Sequence, residues 1–174
     1  MQKHSIRSRL SKVAFFTILV AWAWYRWPDG PEILNVNGAQ AQVIDGDSFK
    51  TATDEFRIYG IDAPEYRQIC KDGKGNDWDC GKVARSGLEK LLRDKSHACE
   101  VTARDQYKRA IATCTDTAGK NLGAELVRQG MAQSADSYGS IVFAEEETDA
   151  KNAKRGIWKG PFTDPKIWRS EHSR

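Results

Sequence analysis

Short apolar runs separated by turn residues dominate the stretch from Gln42 to Glu65, and their spacing predicts three consecutive strands. Gln42-Val43-Ile44 leads into Asp45-Gly46-Asp47, Ser48 to Thr53 reads as a second strand, and Phe56 to Ile61 as a third, with Asp54-Glu55 as the turn between them. In an extended backbone, alternate side chains share a face, so Phe56 and Ile58 line one side of the third strand, and Arg57 and Tyr59 the other. Pro64 cannot continue a ladder, so Asp62-Ala63-Pro64-Glu65 leaves through a loop. The period then changes. Val83, Ala84, Leu88, Leu91 and Leu92 form one stripe of a helix predicted over Lys82 to Lys95. Two strands around Cys99 and Cys114 follow, with a turn centred between Gln106 and Tyr107. A short helix from Asn121 to Gln129 stops at Gly130, and a more charged one runs from Ile141 to Arg155. The tail, Pro161 to Trp168, reads as irregular but aromatic enough to pack. Residues 28–38 hold Pro, Gly and Asn and read as a linker.

Chemistry is concentrated where the pattern begins. Asp45, Asp47, Asp62 and Glu65 surround Arg57 in sequence. If the three strands pair as neighbours, acids from both ends of the stretch converge. Clustered carboxylates repel one another and call for a cation; all-oxygen donors with no nearby His or Cys point to Ca²⁺ or Mg²⁺ rather than zinc. Each residue also has an ordinary reading. Asp45-Gly46-Asp47 could be a plain turn, Arg57 a solvated strand residue, Glu65 an idle loop acid, and Arg109 a partner for Asp105.

Four segments in order resemble the staphylococcal nuclease family: I-D-G-D-S at Ile44–Ser48, F-R-I-Y-G-I-D-A-P-E at Phe56–Glu65, D-Q-Y-K-R at Asp105–Arg109, and E-L-V-R-Q-G at Glu125–Gly130. The similarity extends from about Ala39 to Trp158. It implies an α+β fold: a five-stranded closed OB-type β-barrel with about three packed helices, over a domain of residues 39–174. It also implies a Ca²⁺-dependent nuclease acting on DNA or RNA and leaving 3′-phosphorylated products. By the same resemblance Asp47, Asp62 and the Ala63 carbonyl ligate the ion, with Asp45 nearby through water. Glu65 stands at the position of the general base, Arg57 and Arg109 at those of the two phosphate-binding arginines, and Tyr107 and Tyr138 near the nucleotide. Three positions depart from the family pattern. Lys108 stands where glycine is usual and is strained if that position needs a positive φ. Gln106 replaces a lysine, and Asp136 a tyrosine. The alternative reading is a barrel that binds nucleic acid without turnover.

Charge and cysteines add a compartment. The 174 residues carry 27 basic and 24 acidic side chains, a net of +3. Five of the basic ones (Lys3, Arg7, Arg9, Lys12 and Arg26) precede residue 28, where no acid occurs; without them, 22 basic residues face 24 acidic ones, a net of −2. The domain is thus not the basic body usual for nucleic-acid binding, and long-range steering of a polyanion is correspondingly weak. Residues 1–27 place those positive charges before the apolar run Val13–Tyr25, the layout of an export signal. The run is short for a span, but Trp22, Trp24, Tyr25 and Trp27 suit a membrane interface, so cleavage and retention as an anchor both stay open. The expected setting is periplasmic or extracellular, with the leader meeting membrane or export machinery and the domain a monomer. Four cysteines fit an oxidising compartment. Among three connectivities the local one is Cys70–Cys80 with Cys99–Cys114: the first closes a polar loop, and the second joins residues that the predicted hairpin sets opposite each other.

Overall fold

The computed structural model describes residues 30–137 and 140–172; the leader and Tyr138 lie outside them. Its main sheet has six strands in the order β1-β8-β9-β4-β3-β2. These are β1 (Glu32–Asn37), β2 (Gln42–Val43), β3 (Ser48–Lys50), β4 (Glu55–Ile58), β8 (Ser96–Arg104) and β9 (Ala110–Asp116). Three two-stranded pairs flank it: β5 (Ile61–Asp62) with β10 (Gln133–Ser134), β6 (Cys70–Lys71) with β7 (Asp77–Trp78), and β11 (Asp136–Ser137) with β12 (Ser140–Ile141). Four α-helices follow the chain among the described residues: α1 (Cys80–Leu92), α2 (Leu122–Arg128), α3 (Ala144–Asn152) and α4 (Pro165–Glu171).

The α+β class holds, but three expectations change. The sheet curls as a half-barrel whose ladder does not close, leaving β1 and β2 as its edges. Residues 32–37, read as linker, form β1 and pair with β8 from Glu32↔Val101 to Asn37↔Ser96. Leu34 and Val36 turn inward there while Asn35 and Asn37 stay exposed, a period-two pattern that the Pro and Gly on either side conceal. The tail, read as irregular, forms α4. Asp164 caps it by accepting from the amides of Lys166 (2.8 Å) and Ile167 (3.4 Å), and Pro165 sits in its first turn, where a missing N–H costs nothing.

Packing explains the rest. Phe49 and Phe56 face each other across β3 and β4 and stack at 4.8 Å; both are buried, with Ile58, Ile61, Leu88, Leu92, Leu126 and Val127. Parallel pairing of β4 with β9 needs a long crossover, and the chain from β5 through α1 to β8 supplies it. Across β8 and β9, Cys99 lies opposite Cys114 and is bonded to it. The register then shifts between Val101 and Ala103, a bulge that re-aims the turn after it. The Cys70–Cys80 disulfide anchors a second, smaller cluster with Ile157, Trp78, Trp158 and Phe162. That cluster fastens the segment leading into α4 against the loop that follows the acid-rich stretch.

Candidate active site

Local geometry at the start of β3 is set by Asp45. Its Oδ1 accepts from the Asp47 amide (3.2 Å) and the Ser48 hydroxyl (2.5 Å), so the side chain closes the turn. Those bonds are the ones a plain turn makes, and Asp45 has one electrostatic consequence described below. The turn packs tightly: a Cβ on Gly46 would come within 2.7 Å of the Ala63 Cβ and 2.8 Å of the Ala84 Cβ. A side chain there would push the Asp47 turn off both the 62–65 loop and α1. Gly81 does the same for the next acid, since a Cβ there would overlap the Glu65 carbonyl.

Asp47, Asp62 and Glu65 converge, joined by guanidinium groups. Arg57 donates from Nη1 to Asp47 Oδ1 (2.9 Å) and from Nη2 to Asp62 Oδ1 (3.0 Å). The Ala63 amide donates to Asp47 Oδ2 (3.2 Å). A residue the sequence reading missed completes the group. Arg169, on α4, donates from Nη1 to Asp62 Oδ1 (3.0 Å) and Glu65 Oε1 (2.8 Å), and from Nη2 to Asp62 Oδ2 (3.0 Å). Nothing near Arg169 in sequence marks it, because its partners lie more than 100 residues away; the Asp-Pro pair at Asp164-Pro165 is a helix-start signal that the reading of the tail as irregular did not use.

The electrostatics follow from burial. Asp47 is 2% exposed, and desolvation pushes its carboxyl up to about 8, Arg57 opposing this and nearby Asp45 adding to it. Burial lowers the Arg57 pKa, but Asp47 and Asp62 outweigh it, so the guanidinium is held charged. Burial likewise works against the Arg169 charge, and hydrogen bonds from it to Asp62 and Glu65 outweigh that, raising its pKa.

Would these residues suit a hard cation? Asp47 is a buried carboxyl whose ionised form burial disfavours more than Arg57 supports it. That donor chemistry, with Asp62 beside it, fits Ca²⁺ or Mg²⁺. Among the described residues no three His, Cys, Asp or Glu side chains stand at metal-binding spacing, so a cation held by Asp47 and Asp62 would need carbonyl oxygens and water as its remaining ligands.

Arg109 stands apart. Its amide and Nε donate to Asp105 Oδ1 (3.0 Å) and Oδ2 (2.7 Å), and its guanidinium lies 5.7 Å from the Tyr107 ring. Arg57 is in register with Ile111, two residues beyond Arg109, so both arginines project from the same sheet face. The structure does not join Arg109 to the acids: Asp47, Arg57, Asp62 and Glu65 come together, whereas Arg109 is bonded to Asp105. Tyr107 is 72% exposed. Lys108 has φ +67°, so the turn keeps the left-handed residue and carries its strain, while Asp105 holds the turn by accepting from the Tyr107 and Arg109 amides. Gln106 is exposed. Beside Glu65, a cleft of about 880 Å³ opens between the 65–69 loop and α4, walled by Tyr66, Ile69, Thr163 and Trp168.

Comparison with known proteins gives a consistent picture. The model of the family described as "Staphylococcal nuclease homologue" matches residues 55–160, a span that includes Arg57, Asp62, Glu65 and Arg109. The succinoglycan biosynthesis protein ExoI of Rhizobium meliloti (strain 1021) is 36% identical over 121 residues, covering 69% of this chain and 63% of its own length. The probable endonuclease LCL3 of Verticillium alfalfae is 26% identical over 151 residues, 80% of this chain and 46% of the relative. The probable endonuclease LCL3 of Zygosaccharomyces rouxii is 33% identical over 116 residues, 61% of this chain and 41% of the relative. The chain thus spans less than two thirds of the length of these curated relatives.

Proposed function

Because this chain belongs to the staphylococcal nuclease homologue family, we propose that it hydrolyses phosphodiester bonds of DNA or RNA at the Asp47–Arg57–Asp62–Glu65 cluster. The observation that carries the reading is the convergence of three carboxylates on the guanidinium groups of Arg57 and Arg169. Hydrolysis needs a water to lose a proton and the charge growing on the phosphate to be stabilised. Glu65 is the base: its Oε1 is fixed by Arg169, and the carboxylate borders the open cleft from which water and substrate enter. Arg57 keeps further N–H groups beyond the two it gives to Asp47 and Asp62, and these donate to phosphate oxygens as charge develops. Arg109 donates from the opposite side through its η nitrogens, its Nε being held by Asp105. Asp47, Asp62 and the Ala63 carbonyl would hold Ca²⁺, which when bound supplies Lewis-acid polarisation of a phosphate oxygen. The products would carry 3′-phosphates.

The positive, apolar leader and the two disulfides support action outside the cytoplasm, in the periplasm or the extracellular space. A binding module without turnover would have no use for a carboxylate held beside a guanidinium pair at the mouth of a cleft. Digestion of end-labelled DNA and RNA by the full chain, with Ca²⁺ and with EGTA, tests the proposal. Ca²⁺-dependent cleavage yielding 3′-phosphate ends is expected. Cleavage unaffected by EGTA would remove the calcium assignment, and no cleavage of either polymer would remove the enzyme.

A further inference from the structure

Arg169 is not held in the site by its own helix alone. Two buried or half-buried glutamines tie the start of α4 to the two acids that Arg169 grips. Gln68, which is 0% exposed, accepts from the Glu65 amide through Oε1 (3.1 Å) and donates through Nε2 to the Thr163 carbonyl (2.6 Å). Gln133 lies opposite Asp62 in the β5–β10 pair and donates from Nε2 to Asp164 Oδ2 (2.8 Å). Asp164 is the cap of α4. Each acid is thus linked to the root of the helix through one glutamine, and to its far end through Arg169. Three polar bridges, from residues 95, 31 and 107 positions away in the chain, are more than is needed to dock a seven-residue helix, which the disulfide cluster at Ile157 and Phe162 already holds close. A fully buried glutamine satisfied on both its amide atoms is a placed group.

We propose that α4 is a part of the reaction site, and that Arg169 is a positioning residue that fixes the rotamers of Glu65 and Asp62 through the frame closed by Gln68 and Gln133. This rests on the nuclease reading and extends it to a helix beyond residue 160, where the family match ends. The planar fork is what the task requires. One guanidinium reaches both Asp62 oxygens and Glu65 Oε1 at once; an ammonium keeps the charge but cannot span that arrangement. A misplaced base costs turnover steeply, about 100-fold for roughly 1 Å, without weakening substrate binding to match.

The test uses the full chain as Arg169→Gln and Arg169→Lys, with steady-state cleavage of single-stranded DNA at saturating Ca²⁺ and a calorimetric titration of Ca²⁺ alone. In both variants kcat should fall about 10- to 100-fold while KM stays within about threefold. Loss of the positive charge beside Asp62 should leave Ca²⁺ binding by Arg169→Gln as tight as in the parent or tighter, and Arg169→Lys should bind Ca²⁺ like the parent. Slow turnover with intact cation binding is the pattern that a merely structural helix would not give. An unchanged or increased kcat in Arg169→Gln would overturn the proposal, the increase indicating a plug in place of a positioning group. A fall in kcat matched by equal losses of Ca²⁺ affinity and melting temperature would also overturn it. A parent chain that cleaves nothing removes the nuclease reading, and this proposal with it, before any variant is compared.

Discussion

Two arginine–carboxylate pairs on one sheet face are built in different ways. At the acid cluster, Arg57 is shared between Asp47 and Asp62, and both of those acids are buried. At the β8–β9 turn, Arg109 and Asp105 are neighbours in sequence on a five-residue reversal, beside an exposed tyrosine. The first pair is part of the packing as well as of the candidate site; the second is a local contact within its own turn. A buried charge left without its partner is costly, whereas a half-exposed one is rescued by water.

The largest expected effect separates these two roles. Arg57→Ala should lower turnover by about 100-fold or more and also cost about 3 kcal/mol of stability, because Asp47 stays behind as an unpaired buried carboxyl. Arg109→Ala should lower turnover by a similar factor yet change stability by less than about 1 kcal/mol. Urea denaturation beside initial-rate assays on single-stranded DNA decides it; equal stability losses in the two variants would erase the distinction.

A smaller effect sharpens the view of the turn. Lys108 adopts a conformation that costs a non-glycine residue about 1 kcal/mol or more. Lys108→Gly should therefore stabilise the chain by about 0.5 kcal/mol after glycine's own entropy is counted, with Arg109 left in place and activity retained. Chemical denaturation measures the gain, and a net loss would mean that the lysine side chain holds the turn.

The smallest effect lies outside both regions and serves as a control. Asp116 accepts from the Lys120 and Ala118 amides and from Lys95, and these bonds, the Lys120 amide first, hold its carboxyl down to about 2. A carboxyl that is more acidic when folded stabilises the chain above its ordinary pKa near 4 and loses that contribution as pH falls toward 2. Asp116→Asn should flatten the decline in melting temperature between pH 4 and 2 and leave cleavage at neutral pH unchanged.

What the sequence made legible follows the range of the interactions. The three-strand start, the α1 stripe and the Cys99–Cys114 register are local or nearly so, and alternation or helical spacing reports them directly. Two motif segments carried Asp47, Arg57, Asp62 and Glu65, because each residue stands inside a short, ordered signature. Arg169, Gln68 and Gln133 were invisible for the opposite reason: each is a single polar residue whose meaning lies in a partner 107, 95 and 31 residues away respectively. β1 was missed because Asn35 and Asn37 gave a strand the composition of a loop. Its role depends on pairing with β8, some 60 residues on. Asp45 shows the converse, a motif residue one of whose carboxylate oxygens is engaged by the local turn.

The account stands most directly on Glu65 as the group that takes the proton. The decisive measurement is the single-turnover rate of single-stranded DNA cleavage by the full chain and by Glu65→Gln at saturating Ca²⁺. A rate about 100-fold or more lower in the variant, with DNA still bound, is the predicted result. Cleavage by Glu65→Gln at the parent rate would contradict it.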